Sequence, residues 1–149
     1  MSTIIREVII EADATSVWDA LRDFGALQEK LAPGFVTGCR LETSDTRIVT
    51  FFNGAEARER LVGVDEEARR LAYSVIESGF DATHHNAAAQ IIDDGAGRSR
   101  FAWTVDVLPD ELATRIGEMM ETGLDAMKEH LDDRGIVREP SEPRGDVAV

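Results

Sequence analysis

A long run of strand-like segments leads directly into one long amphipathic helix, and this order leaves few folds open to the chain. Between Phe35 and Leu108, apolar segments near residues 35–44, 46–53, 55–65, 69–78, 83–93 and 98–108 alternate with turn residues. The turns fall at Ser44-Asp45, Asn53-Gly54, Asp65-Glu66-Glu67, Ser78-Gly79 and Asp93-Asp94-Gly95-Ala96-Gly97. Asn53-Gly54 and Asp94-Gly95 are the stronger hairpin signals, because Asn, Asp and Gly tolerate the positive φ of tight turns. From Pro109-Asp110 onward the period changes to that of a helix. Leu112, Ile116, Met119, Met120, Gly123, Leu124, Met127 and Leu131 make one stripe, and Glu118, Glu121, Asp125, Glu129 and Asp132 lie opposite. Asp110 and Glu111 suit the positive end of the helix dipole, and Gly135 ends the helix near residue 134. Consecutive antiparallel strands with one such helix must bury it against a concave sheet face.

The N-terminal third completes the pattern. Ile4 to Glu11 is rich in β-branched residues and reads as a first strand. Asp13 is a good N-cap, and Val17, Trp18, Leu21 and Phe24 share one face of a helix over residues 14–23, stopped by Gly25. A further helical turn is expected at 26–31, before Pro33-Gly34. The expected fold is α+β: a seven-stranded antiparallel sheet curved around a helix at residues 110–134, with a helical lid at 14–31. Residues 1–134 are expected to form one ligand-binding domain. Residues 135–149 are expected to be a disordered tail, since the stretch from Arg138 to Asp146 holds Pro140 and Pro143 and almost nothing apolar.

Charge narrows the function. Sixteen basic residues against twenty-nine acidic ones give a net charge of −13, which repels phosphate backbones and anionic lipid surfaces. Nucleic acid and electrostatic membrane docking are therefore not expected as partners. Like-charged surfaces also disfavour face-to-face association, so a monomer or weak homodimer is expected. The lone Cys39 cannot form an intramolecular disulfide, and His84, His85 and His130 are too scattered for an obvious metal cluster. No segment approaches the ~18 consecutive apolar residues of a membrane span. The N-terminus lacks the basic start and apolar core of a secretory signal, which makes the cytoplasm the expected compartment.

Several segments resemble one family in order and spacing. They are Ile9-Ile10-Glu11-Ala12-Asp13-Ala14-Thr15-Ser16-Val17-Trp18-Asp19-Ala20-Leu21, then Asn53-Gly54, Arg58-Glu59-Arg60-Leu61, Leu71-Ala72-Tyr73 and Arg100-Phe101-Ala102-Trp103. Together they resemble the START-related helix-grip (SRPBCC) superfamily, in its polyketide cyclase/dehydratase and lipid-transport branch. The resemblance implies a helix-grip fold and a cavity for a small hydrophobic ligand. It carries no shared catalytic motif and implies no one reaction, since members range from cyclases to carriers.

Strand alternation says which side chains would meet that cavity. Phe101, Trp103, Val105 and Val107 form one inward set; Leu71, Tyr73 and Val75 form another; His85, Ala87, Ala89 and Ile91 form a third. The strand at 47–52 is apolar on both faces and has no legible direction. Ala57, Glu59, Leu61 and Gly63 share a face, which would aim Glu59 into the cavity. Such a carboxylate is a candidate general acid or base, with Tyr73 and His85 as polarising donors. Alternatively Glu59 pairs with Arg40 or Arg47 and holds the sheet together. His85 also reads, and more simply, as a partly exposed histidine near a strand end, and His130 as a solvated one.

The candidate ligand wall comprises Phe101, Trp103, Ala87, Ala89, Leu61, Met119, Met120, Gly123, Leu124 and Met127. Methionines adapt to loosely specified ligands, and Gly123 removes a side chain where the cavity should lie. Two functions follow. One is binding of a small hydrophobic or aromatic molecule between sheet and helix. The other is a cyclase or dehydratase using Glu59, chemistry that requires neither cofactor nor metal.

Overall fold

The computed structural model describes residues 1–135. The seven strands are β1 (Ser2–Ile10), β2 (Val36–Leu41), β3 (Thr46–Phe51), β4 (Glu56–Asp65), β5 (Arg70–Glu77), β6 (His84–Gly95) and β7 (Arg98–Leu108). The helices are α1 (Ala14–Arg22) and α2 (Ala113–Gly135). All neighbouring strands are antiparallel, in the order β1-β7-β6-β5-β4-β3-β2. β1 and β2 therefore lie at opposite edges, and the helical segment between them carries the chain across the sheet. The expected seven-stranded helix-grip architecture is present. The stretch expected to be a tail lies, from residue 136 on, outside the described residues.

Local chemistry explains the elements. The Asp13 carboxylate accepts from the Ser16 amide at 3.2 Å and from its hydroxyl at 2.6 Å, capping α1. Gly54 takes φ +85° in the β3–β4 turn, a conformation L side chains rarely adopt. Along β7, Phe101, Trp103, Val105 and Val107 are buried in strict alternation. They meet Ile116, Met120, Leu124, Met127 and Leu131, all buried on the inner face of α2. Each such side chain contributes roughly 1.5–3 kcal/mol on burial, so this seam outweighs the ion pairs outside it. Outside it, Lys128 Nζ donates to the Ile9 carbonyl at 2.8 Å, and Arg6 pairs with Glu121 at 2.9 Å.

Three expectations are corrected in detail. The C-terminal helix does not begin at residue 110: Asp110–Leu112 forms a 3₁₀ turn, closed by the Leu112 amide on the Pro109 carbonyl at 3.1 Å, and α2 starts at Ala113. The first helix ends at Arg22, one residue short of the expected 23, and is followed by a 3₁₀ turn, Phe24–Ala26, and a π turn, Leu27–Leu31. His130 is half-buried rather than solvated.

The direction of β3 is now plain. Arg47, Val49 and Phe51 face the core, while Ile48 is buried on the outer face between its cross-strand neighbours Arg40 and Arg58. Long arginine stems can cover apolar surface, which accounts for a strand apolar on both sides.

Candidate functional site: an apolar pocket beneath the long helix

The curved sheet, the crossover helices and α2 do not fill the space they enclose. A pocket of about 260 Å³ remains. Phe101, Trp103 and Val105 from β7 form its floor, and Met119, Met120 and Met127 from α2 form its roof. Leu21, Leu27 and Leu31 from the crossover close one side. The rim is built by Phe51 to Asn53, by Ser78 to Phe80, and by Arg115. Phe35 packs edge-on to Phe51 at 5.4 Å between ring centroids and lies 6.1 Å from Phe52. Across the rim, the Arg115 guanidinium sits 5.0 Å from the Phe80 ring centroid. Ser78 and Gly79 line the pocket, as do Ala32 and Phe35, which flank Pro33-Gly34.

Polar groups on this wall are few. Arg47 and Glu59 are cross-strand partners on β3 and β4, and both are buried. Glu59 Oε1 accepts from Arg47 Nε at 2.9 Å and lies 2.8 Å from a terminal guanidinium nitrogen in the same ion pair. The other terminal nitrogen donates to the Phe24 carbonyl at 3.0 Å. The guanidinium stacks 3.9 Å from the Phe24 ring centroid and 5.2 Å from that of Tyr73. Burial pushes the Tyr73 phenol well above its usual range, and the Glu59 charge adds to this. Burial and, secondarily, the neighbouring His84 push His85 down to about 4, so its imidazole is neutral at physiological pH.

The three candidate catalytic residues, Glu59, Tyr73 and His85, all line this one pocket. Glu59 is held by Arg47, the structural pairing already named as its alternative. Of the candidate ligand wall, Phe101, Trp103, Ala89, Met119, Met120 and Met127 also line the pocket. Ala87 and Leu124 are buried in the core without reaching it, and Leu61 packs against the core margin. The reading of Gly123 is corrected. A Cβ there would lie 3.0 Å from the Phe35 ring and 3.3 Å from Trp103, so those rings, not empty space, occupy the site.

Sequence reasoning missed Phe35, Phe51, Phe80 and Arg115. Three are aromatics beside turn glycines, at Gly34-Phe35, Phe51-Phe52-Asn53-Gly54 and Gly79-Phe80, and that adjacency was the available signal. Cys39 is half-buried on β2, its thiol 3.9 Å from the Phe24 carbonyl, and burial raises its pKa. It has the setting of a small strand residue. Among the described residues, no group of three or more His, Cys, Asp or Glu is placed to hold a metal ion. None of the helices there is long and apolar enough to cross a membrane.

Known structures share this arrangement. A solution structure from Thermobifida fusca is 28% identical, with a TM-score of 0.74 over 93% of this chain and 99% of that one. A START superfamily protein from Mycobacterium smegmatis is 14% identical, with a TM-score of 0.69 over 89% of this chain and 96% of that one. Norcoclaurine synthase from Thalictrum flavum, solved in complex with dopamine and hydroxybenzaldehyde, is 21% identical, with a TM-score of 0.66 over 89% of this chain and 85% of that one. No curated protein matches the chain in sequence. The family described as polyketide cyclase / dehydrase and lipid transport matches residues 1–132. With its antiparallel sheet gripping one long helix, a fold it shares with the START superfamily protein, the chain belongs to that family.

Proposed function

We propose that this protein binds a small hydrophobic or aromatic molecule in the pocket between sheet and α2. The observation that carries the reading is the pocket itself: about 260 Å³, walled by aromatic, methionine and leucine side chains, with a few convergent polar groups. The Thalictrum flavum relative was solved with two small aromatic molecules bound, which supports the same ligand class here. The chain acts as a monomer or weak homodimer, and gel filtration reads that directly. Thermal-shift screening against aromatic polyketides, quinones, flavonoids and lipids tests the binding, because a ligand that binds only the native state stabilises it by mass action. A hit confirmed by calorimetry supports the reading. A flat response across all classes, with an experimental structure whose interior is filled, overturns it.

A cyclase-type enzyme is the second reading, favoured by the convergence of Glu59, Tyr73 and His85 on one wall. It requires a proton acceptor that the substrate can reach. The hydrogen bond and the ion-pair contact from the Arg47 guanidinium both fall on Glu59 Oε1, which leaves Oε2 as the oxygen to take a substrate proton. Turnover of a poly-β-ketone substrate by the wild type, lost on Tyr73→Phe with binding retained, would move the assignment from carrier to enzyme.

A further inference from the structure

One polar side chain on the pocket wall has no protein partner on its buried nitrogen. His85 is only 7% exposed and takes part in no hydrogen bond among the described residues; its Nδ1 has almost no accessible surface, toward the pocket as toward solvent, so Nε2 is the nitrogen a pocket ligand would meet. Ser99 Oγ is also unsatisfied, but Ser99 lies away from the pocket. His85 lines it.

The register shows what surrounds the imidazole. Glu59 pairs with Val75 across β4 and β5, and Tyr73 pairs with Ala87 across β5 and β6. Val75 and His85 each lie two residues beyond that second pair, so Glu59, Val75 and His85 form one row across the concave face. With strands spaced by about 4.8 Å, the row separates Glu59 from His85 by about 10 Å. Apolar Val75 lies between them, and Tyr73 stands one row away. A flat ring system lying over Val75 would reach the His85 imidazole with an edge substituent.

Charge and volume narrow the ligand further. Arg47 and Glu59 neutralise each other, and the buried imidazole is uncharged, so the interior offers a ligand no uncompensated charge. Arg115 is exposed at the rim. Moving a carboxylate into such an interior would strip its water without replacing it. Pockets for drug-sized molecules span roughly 300–1,000 Å³. At about 260 Å³, this one suits something smaller.

We propose that the pocket takes a neutral one- or two-ring aromatic molecule bearing a hydroxyl or carbonyl oxygen, and that the His85 imidazole is the hydrogen-bonding partner of that oxygen. His85 is then the residue that sets specificity, an inference that rests on reading the pocket as a ligand site. A neutral imidazole can both donate and accept, which suits either oxygen.

Calorimetric titration of the full chain with 2-naphthol, naphthalene and 2-naphthoate tests this. In the wild type, 2-naphthol should bind about tenfold more tightly than naphthalene, the equivalent of one well-made buried hydrogen bond. It should also bind more tightly than 2-naphthoate. In His85→Phe, the advantage of 2-naphthol over naphthalene should fall below about threefold while naphthalene binding persists; His85→Gln should retain part of the advantage. Equal binding of 2-naphthol and naphthalene by the wild type overturns the inference while leaving the ligand-binding reading intact. So does tighter binding of 2-naphthoate, or an undiminished preference in His85→Phe. If none of the three probes binds, the reading of the pocket and the inference fall together. Should His85→Phe not fold, the wild-type ratios and His85→Gln decide the matter.

Discussion

Arg47 and Glu59 face each other across β3 and β4 at the back of the pocket, and one carboxylate oxygen takes a hydrogen bond from the guanidinium Nε at 2.9 Å and lies 2.8 Å from a terminal nitrogen of the same group. Both side chains are nearly sealed from water. Removing two charges from water costs several kcal/mol per ion, so such a pair persists only when its remaining groups are also met. Here the Phe24 carbonyl accepts from the guanidinium, and the Phe24 ring stacks on it. The pair thereby ties β3 and β4 to the turn that follows α1.

Breaking that pair from one side should be severe. Glu59→Ala or Arg47→Ala alone should cost about 3–5 kcal/mol, because each strands a buried charge. Arg47→Met combined with Glu59→Leu should recover most of that loss, since an apolar pair needs no solvation. Urea denaturation of the singles and the double checks this. Additive losses in the double would mean that the two residues do not act as a pair.

His85 should make the protein acid-sensitive. A free histidine titrates near 6.5, and here burial holds His85 at about 4. Between those values the unfolded chain binds a proton that the native state refuses, so stability is lost as pH falls from 6.5 toward 4. At pH 5 the loss relative to pH 7 is about 2 kcal/mol. His85→Gln, which does not titrate, should lack this component. Wild-type and variant stability curves running parallel from pH 7 to pH 5 would contradict the assignment.

Gly123→Ala is expected to trade pocket volume for helix stability. Alanine gains up to about 1 kcal/mol in a helix interior. Its methyl would press on Phe35 at 3.0 Å and on Trp103 at 3.3 Å. Both rings line the pocket and can shift toward its empty side. The melting temperature should therefore change little, while affinity for 2-naphthol falls several-fold. Unchanged affinity would show that the rings moved elsewhere.

At the rim, Arg115→Gln should act on kinetics more than on stability. The contact of Arg115 with Phe80 is exposed, where cation–π attraction amounts to about 0.5–1 kcal/mol. Unfolding free energy should fall by no more than that. Dissociation of a bound aromatic probe, followed by stopped flow, should speed up by several-fold as the contact between α2 and the Phe80 loop is lost. An unaltered off-rate would remove this contact from the access route.

Much of this molecule was legible in its sequence because the signals are local. The Asp13 cap reads from Ser16 three residues away, the β3–β4 turn from Asn53-Gly54, and the inner face of α2 from the spacing of Ile116, Met120, Leu124, Met127 and Leu131. Alternation also aimed Glu59, Tyr73 and His85 at the interior, where all three lie. Alternation states a face but not a neighbour. Arg40 and Arg47 were equal candidates to pair with Glu59, and cross-strand register chose Arg47 by placing it opposite on the inner face. The same limit hid the rim, because Phe35, Phe51, Phe80 and Arg115 come from segments far apart in the chain. It also reversed the meaning of Gly123, whose missing side chain admits two rings instead of a ligand. Those outcomes belong to the tertiary structure, because register and close packing are settled by contacts between distant segments, whereas caps, turns and periodicities act within a few residues.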